Sequence, residues 1–293
     1  MTTIRPRRSA LYMPGSNARA LEKARNLDAD VILLDLEDAV APDVKEQARV
    51  QVCEAVAAGG YGHREVVIRV NGPGTPWFEE DFNAAVAASP DAILIPKVSA
   101  PDTLFDIAVR LAQAGAPAKT RIWAMIETPV AILRVHDIAA CAHDRSTRLS
   151  CFVMGTNDLA KETRARFVPD RSTMLPWLAT SLLAARAYGL DILDGVFNQI
   201  SDTDGFDAEC AQGRDLGFDG KTLIHPSQIA EANRIFAPDA EEVERARAII
   251  AAFEKPENAD KGAINMDGRM VERLHAQMAV RVVALADAIA QRG

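Results

Sequence analysis

No stretch of this 293-residue chain approaches the roughly 18 consecutive apolar residues that a membrane-spanning helix requires. Its start carries Arg5, Arg7 and Arg8 and no apolar leader-like segment. Cysteine is scarce: Cys53, Cys141, Cys151 and Cys210 share no CxxC spacing. Neither a zinc site nor a disulfide framework is suggested, and the thiols fit a reducing compartment, so a cytoplasmic protein is expected. Positive charge is in deficit, with 33 Lys and Arg against 41 Asp and Glu and a net charge of -8. That balance disfavours nucleic acid and anionic membrane as partners. Phosphate-cradling GxGxxG and P-loop patterns are missing, as is a GxSxG nucleophile elbow. His136 and His143 lack the i,i+4 spacing of a helical metal pair. Beyond an alternation of strand and helix there is no internal repeat and no low-complexity segment.

Short apolar runs do recur, each followed by a loop and an amphipathic stretch. Strands are expected at 9–13, 31–36, 66–70, 92–96, 122–126, 151–155, 192–196 and 222–224. Helices are expected at 18–27, 44–57, 77–88, 102–114, 130–140, 173–187 and 207–216. Runs such as VILLDL and AILIPK are apolar on both faces, as in parallel strands covered by helices. Eight such units predict a closed (β/α)8 barrel over residues 1–236, with an open doubly wound sheet as the alternative. Residues 237–293 read as a helical extension, with helices at 241–254 and 268–291 around a polar linker at 255–261. The extension either packs on the barrel or reaches a neighbouring subunit. The basic, proline-containing segment 163–172 is expected to follow a strand end, where a barrel enzyme places substrate contacts.

In a barrel the strand C-termini converge on the site. Glu127 ends WAMIE and Asp158 lies just past CFVMG; two carboxylates from adjacent strands suit a magnesium ion that keeps water and substrate oxygens. Taken singly, each carboxylate also reads as a helix cap. Glu37 and Asp38 are placed to hold metal-bound water. Arg69 calls for an anion, either a ligand carboxylate or enolate, or a protein partner in Asp35 or Glu37. Gly15 and a helix N-terminus after Pro14, with Arg19 and Lys23 one turn apart, suit a phosphate-bearing ligand, although a solvated helix face explains them equally. His225 reads as a His–Pro turn or as a base.

The phrases RRSALYMPGSN, DLEDAVAP, VVIRVN, ILIPKV, MIETP, GFDGKTLIHPSQI and GRMVE resemble, in order, those of the HpcH/HpaI aldolase/citrate lyase family. The resemblance implies a TIM barrel, trimeric or hexameric, that uses Mg2+ (Mn2+ as a substitute) on a small-molecule 3-hydroxyacyl-CoA substrate. It implies Glu127 and Asp158 as metal ligands, Arg69 as the polarising arginine, and Pro14, Arg19 and Lys23 near the CoA moiety. In that family an aspartate in a GxMxD tail motif serves a neighbouring subunit's site; here Glu272 stands in its place, one methylene longer. GTNDLA looks more like the CoA-using branch than the citrate lyase β-subunit. The expected reaction is carbon–carbon cleavage, or Claisen-type condensation, of malyl-CoA or citramalyl-CoA. Its products would be glyoxylate or pyruvate with acetyl-CoA or a homologue. Glu272 would exchange the proton and Arg69 would stabilise the enolate. Alternatives are a malyl-CoA thioesterase, a citryl thioester lyase, a CoA-independent aldolase, and a noncatalytic CoA-binding subunit.

Overall fold

A computed structural model describes residues 4–266 and 268–292. Eight parallel strands close a barrel: β1 (Ser9–Pro14), β2 (Val31–Asp35), β3 (Glu65–Arg69), β4 (Ala92–Ile95), β5 (Arg121–Ile126), β6 (Leu149–Met154), β7 (Asp191–Asp194) and β8 (Gly220–Leu223). Closure is direct, since β1 pairs with β8 through Ser9↔Lys221, Ala10↔Thr222 and Leu11↔Leu223. The open-sheet alternative is thereby excluded. The connecting helices are α1 (Ala18–Ala24), α2 (Lys45–Ala58), α3 (Phe78–Ala88), α4 (Pro101–Gln113), α5 (Pro129–Leu133), α6 (Val135–Ala140), α7 (Thr156–Thr163), α8 (Leu175–Ala187) and α9 (Thr203–Leu216). After β8 come α10 (Ile229–Ile235), α11 (Ala240–Glu254), a hairpin of β9 (Ala263–Met266) and β10 (Arg269–Glu272), and α12 (Arg273–Ala290).

Strand periodicity explains the interior. Side chains at i and i+2 share a face, and Ala10, Val31 and Leu33, Val67, Ala92 and Leu94, Trp123 and Met125, Cys151 and Val153, and Leu193 form one buried cluster. Continuing each register by two residues brings Asp35, Arg69 and Glu127 to the inward face at the strand ends. At the opposite end the same parity places Glu65 and Asp191, which Arg7 bridges while lying 5.0 Å over the Trp123 ring. The apolar layers thus carry a charged layer at each end.

The chain divides into two compact units, Arg7–Asn233 and the residues before Arg7 together with those from Arg234 on. Within the second unit, α11, β10 and α12 share a core of Ala246, Ile249, Phe253, Val271 and Ala279. Two local expectations differ from what is observed. The helix expected from 268 begins only at Arg273, because AINM and RMVE form strands that pair antiparallel, Arg269 with Met266 through Glu272 with Ala263. Gly268 has φ +77 beside this turn, in the region that favours glycine. The segment 163–172 does not follow β6 directly, since α7 intervenes with Leu159 and Ala160 buried.

Candidate active site

At the C-terminal mouth of the barrel, Arg69 is 5% exposed and held by three carboxylates. Its Nε donates to Asp35 Oδ1 at 2.7 Å and its Nη2 to Asp35 Oδ2 at 2.6 Å, a bidentate pair. Nη1 lies 2.8 Å from Glu37 Oε2 and donates to Asp38 Oδ2 at 3.2 Å. Beneath it the Tyr12 ring lies 4.7 Å from the guanidinium carbon. Asp35 also accepts from the backbone N–H of Glu37 at 2.9 Å and of Ala39 at 3.1 Å. The Asp35 carboxylate therefore shapes the loop that carries Glu37 and Asp38. Burial alone would push Asp35 up, but the Arg69 charge and these four donors hold it below the ordinary carboxylate range. Glu37 goes the other way: burial, reinforced by Asp38, Glu127 and Asp35, outweighs Arg69 and pushes it up to about 8.

The second half of the mouth centres on Glu127, which is 1% exposed. Its Oε1 accepts from the Lys97 backbone N–H at 2.7 Å, and its Oε2 is buried without a hydrogen bond among the described residues. Burial raises its pKa to about 7. The Lys97 ammonium lies 3.8 Å from Glu127 Oε2 and 2.6 Å from Asp158 Oδ1. Asp158 sits in the first turn of α7. Gly155, between β6 and α7, is required by space: a Cβ there would lie 2.4 Å from Glu127 Cβ and 2.7 Å from its Oε2. A cavity of about 300 Å3 joins the two halves, with Tyr12, Arg69, Met125, Asp158, Val196 and Thr222 among its walls. A second cavity, of about 360 Å3, shares Thr156 and Val196 with it and is walled by Phe167, Val168 and Pro169 of the 163–172 segment.

The donor set fits a hard divalent cation. Two carboxylates from neighbouring strands meet one positive charge, and one buried oxygen is left without a donor. No group of three metal-competent His, Cys, Asp or Glu side chains occurs among the described residues. Two carboxylate ligands would leave the remaining positions of such a cation to water and substrate, the habit of magnesium.

The HpcH/HpaI aldolase/citrate lyase model matches residues 8–226. The chain belongs to that family. Among its members, a (3S)-malyl-CoA thioesterase of Cereibacter sphaeroides is 49% identical over 285 residues, covering 97% of this chain and 96% of the relative. The citrate lyase subunit beta of Leuconostoc mesenteroides is 35% identical over 293 residues, covering 98% and 96%. A crystal structure of CitE from Mycobacterium tuberculosis, in complex with magnesium, acetoacetate and coenzyme A, superposes with a TM-score of 0.75 at 28% identity, covering 95% of this chain and 97% of that one.

Within this family framework, Arg69, Glu37 and Asp38 come together, and so do Glu127 and Asp158. Arg69 meets its anions inside the protein, in Asp35 and Asp38, so its burial needs no ligand. Asp38 is the loosest member, with a side chain 71% exposed. Pro14 ends β1, and Arg19 and Lys23 lie exposed on the seven-residue α1, which Asn17 caps by accepting from Ala20 N. Glu272 belongs to the second unit, where it caps α12 and its N–H donates to His275 Nδ1 at 2.8 Å. His225 forms the His–Pro turn, its Nδ1 accepting from Ser227 N at 3.2 Å. Sequence reasoning left Lys97 and Tyr12 without a role. The only signal for Lys97 was a charge ending the apolar run AILIP.

Proposed function

We propose that the protein hydrolyses the thioester of malyl-CoA or a close homologue, with a magnesium ion held by Glu127 and Asp158. The convergence of Arg69 and Asp158 on one cavity, with Glu127 tied to Asp158 through Lys97, carries the reading. The preference for hydrolysis over carbon–carbon cleavage comes from the thioesterase relatives, at 47–49% identity against 33–35% for the citrate lyase subunits. A magnesium ion at this position supplies charge that polarises substrate oxygens and orients a hydroxyacid.

The chain's own residues do the rest. Arg69 presents a fixed positive charge to a substrate oxygen on which negative charge develops. Its Nε and one Nη2 proton are committed to Asp35, so the Nη1 side is the one a substrate can share. There the 3.2 Å contact to exposed Asp38 is the most readily displaced. Glu37, buried and pushed up to about 8, can hold or release a proton beside that oxygen near neutrality. The apolar cavity walls Met125, Met154 and Val196 limit bulk water. Pro14, Arg19 and Lys23 receive the CoA moiety in this reading. Glu272 acts from a neighbouring copy in a trimer or hexamer; exposed Met270, Leu274 and Met278 around it supply apolar surface for that contact.

Carbon–carbon cleavage is the second reading, supported by the citrate lyase relatives and by an arginine suited to an enolate. Purified protein with malyl-CoA and Mg2+ separates the two. Free thiol with intact malate supports hydrolysis, whereas glyoxylate with acetyl-CoA transfers the assignment to a lyase. Inactivity on malyl, methylmalyl and citramalyl thioesters alike removes both.

A further inference from the structure

Lys97 is placed between the two carboxylates that the proposed function gives to the metal. Its ammonium is 2.6 Å from Asp158 Oδ1 and 3.8 Å from Glu127 Oε2, and its own backbone N–H donates to Glu127 Oε1 at 2.7 Å. One residue thus engages both carboxylates, Glu127 from two sides. The backbone takes the left-handed region to do so, at φ +57, which a residue with a Cβ adopts only at a cost. Local strain held at a site by its surroundings points to a positional requirement there. The side chain is 38% exposed, so it has an outlet toward solvent.

We infer that Lys97 is an internal counter-cation that competes with the divalent ion for Glu127 and Asp158, and that metal loading drives its ammonium out of the pair. This rests on the metal reading of the two carboxylates. A buried carboxylate with no partner is costly, and two facing each other more so. The ammonium offsets that cost while the metal is absent, keeping both side chains aimed at one point. A divalent ion at the same two carboxylates would repel the ammonium that already occupies them, and the four-carbon lysine stem lets the ammonium leave without moving the backbone. Lys97 therefore keeps the site organised at the expense of metal affinity, and its displaced charge stays at the rim of the mouth.

The test uses Lys97→Met, which keeps the stem and removes the charge, and Lys97→Arg, which keeps the charge. Mg2+ is titrated into EDTA-stripped, dialysed full-length protein by calorimetry, with melting temperature followed in parallel. Lys97→Met is expected to bind Mg2+ at least about tenfold more tightly than wild type. It should also melt lower than wild type without metal, the gap closing at saturating Mg2+. Lys97→Arg should stay within about threefold of wild-type affinity. Wild type that binds Mg2+ with Lys97→Met binding equally or more weakly overturns the role of Lys97 alone. Wild type that binds no Mg2+ overturns the metal site and this role with it. Should Lys97→Met not fold without metal, refolding it in saturating Mg2+ decides: recovery of a wild-type melting temperature supports the counter-cation, and no recovery while Lys97→Arg folds normally refutes it.

Discussion

Gly155 shows how narrowly the site is specified at the level of one side chain. Its φ is ordinary, so the constraint is purely one of space: added at this position, a methyl would overlap the Glu127 side chain. Glu127 cannot simply retreat, because its Oε1 is tied to the Lys97 N–H and the whole side chain is buried. Gly155→Ala is therefore expected to cost about 1–3 kcal/mol by overpacking. It should weaken Mg2+ binding about tenfold or more, since the displaced carboxylate is a proposed ligand. Urea denaturation with Mg2+ titration checks both, and a variant with wild-type metal affinity would show that Glu127 is not at the metal. Arg69 makes a related point. Its charge is balanced so closely by the bidentate Asp35 carboxylate that burial of the guanidinium says little about substrate. The cavity it lines says more.

Among elements, the segment between α7 and α8 is fastened by charge. Arg171, 5% exposed and at φ +52, donates from Nη1 to both Asp194 oxygens at 2.9 and 2.7 Å and from Nε to Gln212 Oε1 at 2.8 Å. Lys221 on β8, with no exposure, reaches Asp194 at 3.1 Å and Glu209 of α9 at 2.6 Å. Two cations and two carboxylates thus join the segment to β7, β8 and α9, and the same segment walls the second cavity. Removing one partner leaves buried charge behind, so Arg171→Ala should destabilise the fold by about 3 kcal/mol. Arg171→Lys should recover only part of this, because an ammonium cannot span Asp194 and Gln212 together. A loss below about 0.5 kcal/mol for Arg171→Ala in denaturant unfolding would place the cluster in effective contact with water. None of this was legible in the sequence. Lys221 stood just before the strand expected at 222–224 and Asp194 inside the strand expected at 192–196, and their meeting depends on which strands pair. The eight strands themselves were legible, since VILLD, AILI and CFVM are apolar on both faces and parallel burial is the cheapest explanation. Glu127, Asp158 and Arg69 were legible for the same reason, as charges at the ends of apolar runs. The β9–β10 hairpin was missed because four-residue strands carry too few alternations to outweigh a helical tail, and Lys97 because its significance lies in what it touches.

For the whole molecule, the two opposed sets of buried carboxylates dictate how stability responds to pH. Asp35 and Asp194 are held low, burial being outweighed by Arg69 in one case and by Lys221 and Arg171 in the other. In acid the unfolded chain binds more protons at these residues than the folded one, so stability rises with pH through the range below about 4. Glu37 and Glu127 are raised by burial, to about 8 and about 7. Between about 4.5 and those values the folded state binds the extra protons, so stability falls as pH rises. The metal-free protein should therefore be most stable near pH 4–5, losing stability on both sides, by roughly 3 kcal/mol for Glu127 alone on the alkaline side at 1.36 kcal/mol per unit. Saturating Mg2+ favours the ionised form of Glu127 and should flatten the decline between pH 5 and 8 while leaving the acid limb unchanged. Melting temperatures measured from pH 3 to 9 in EDTA, and again with Mg2+, test the two limbs separately. A melting temperature that climbs steadily from pH 5 to 8 in EDTA would mean that Glu37 and Glu127 ionise freely in the fold. Loss of the acid limb would instead point to Asp35 and Asp194.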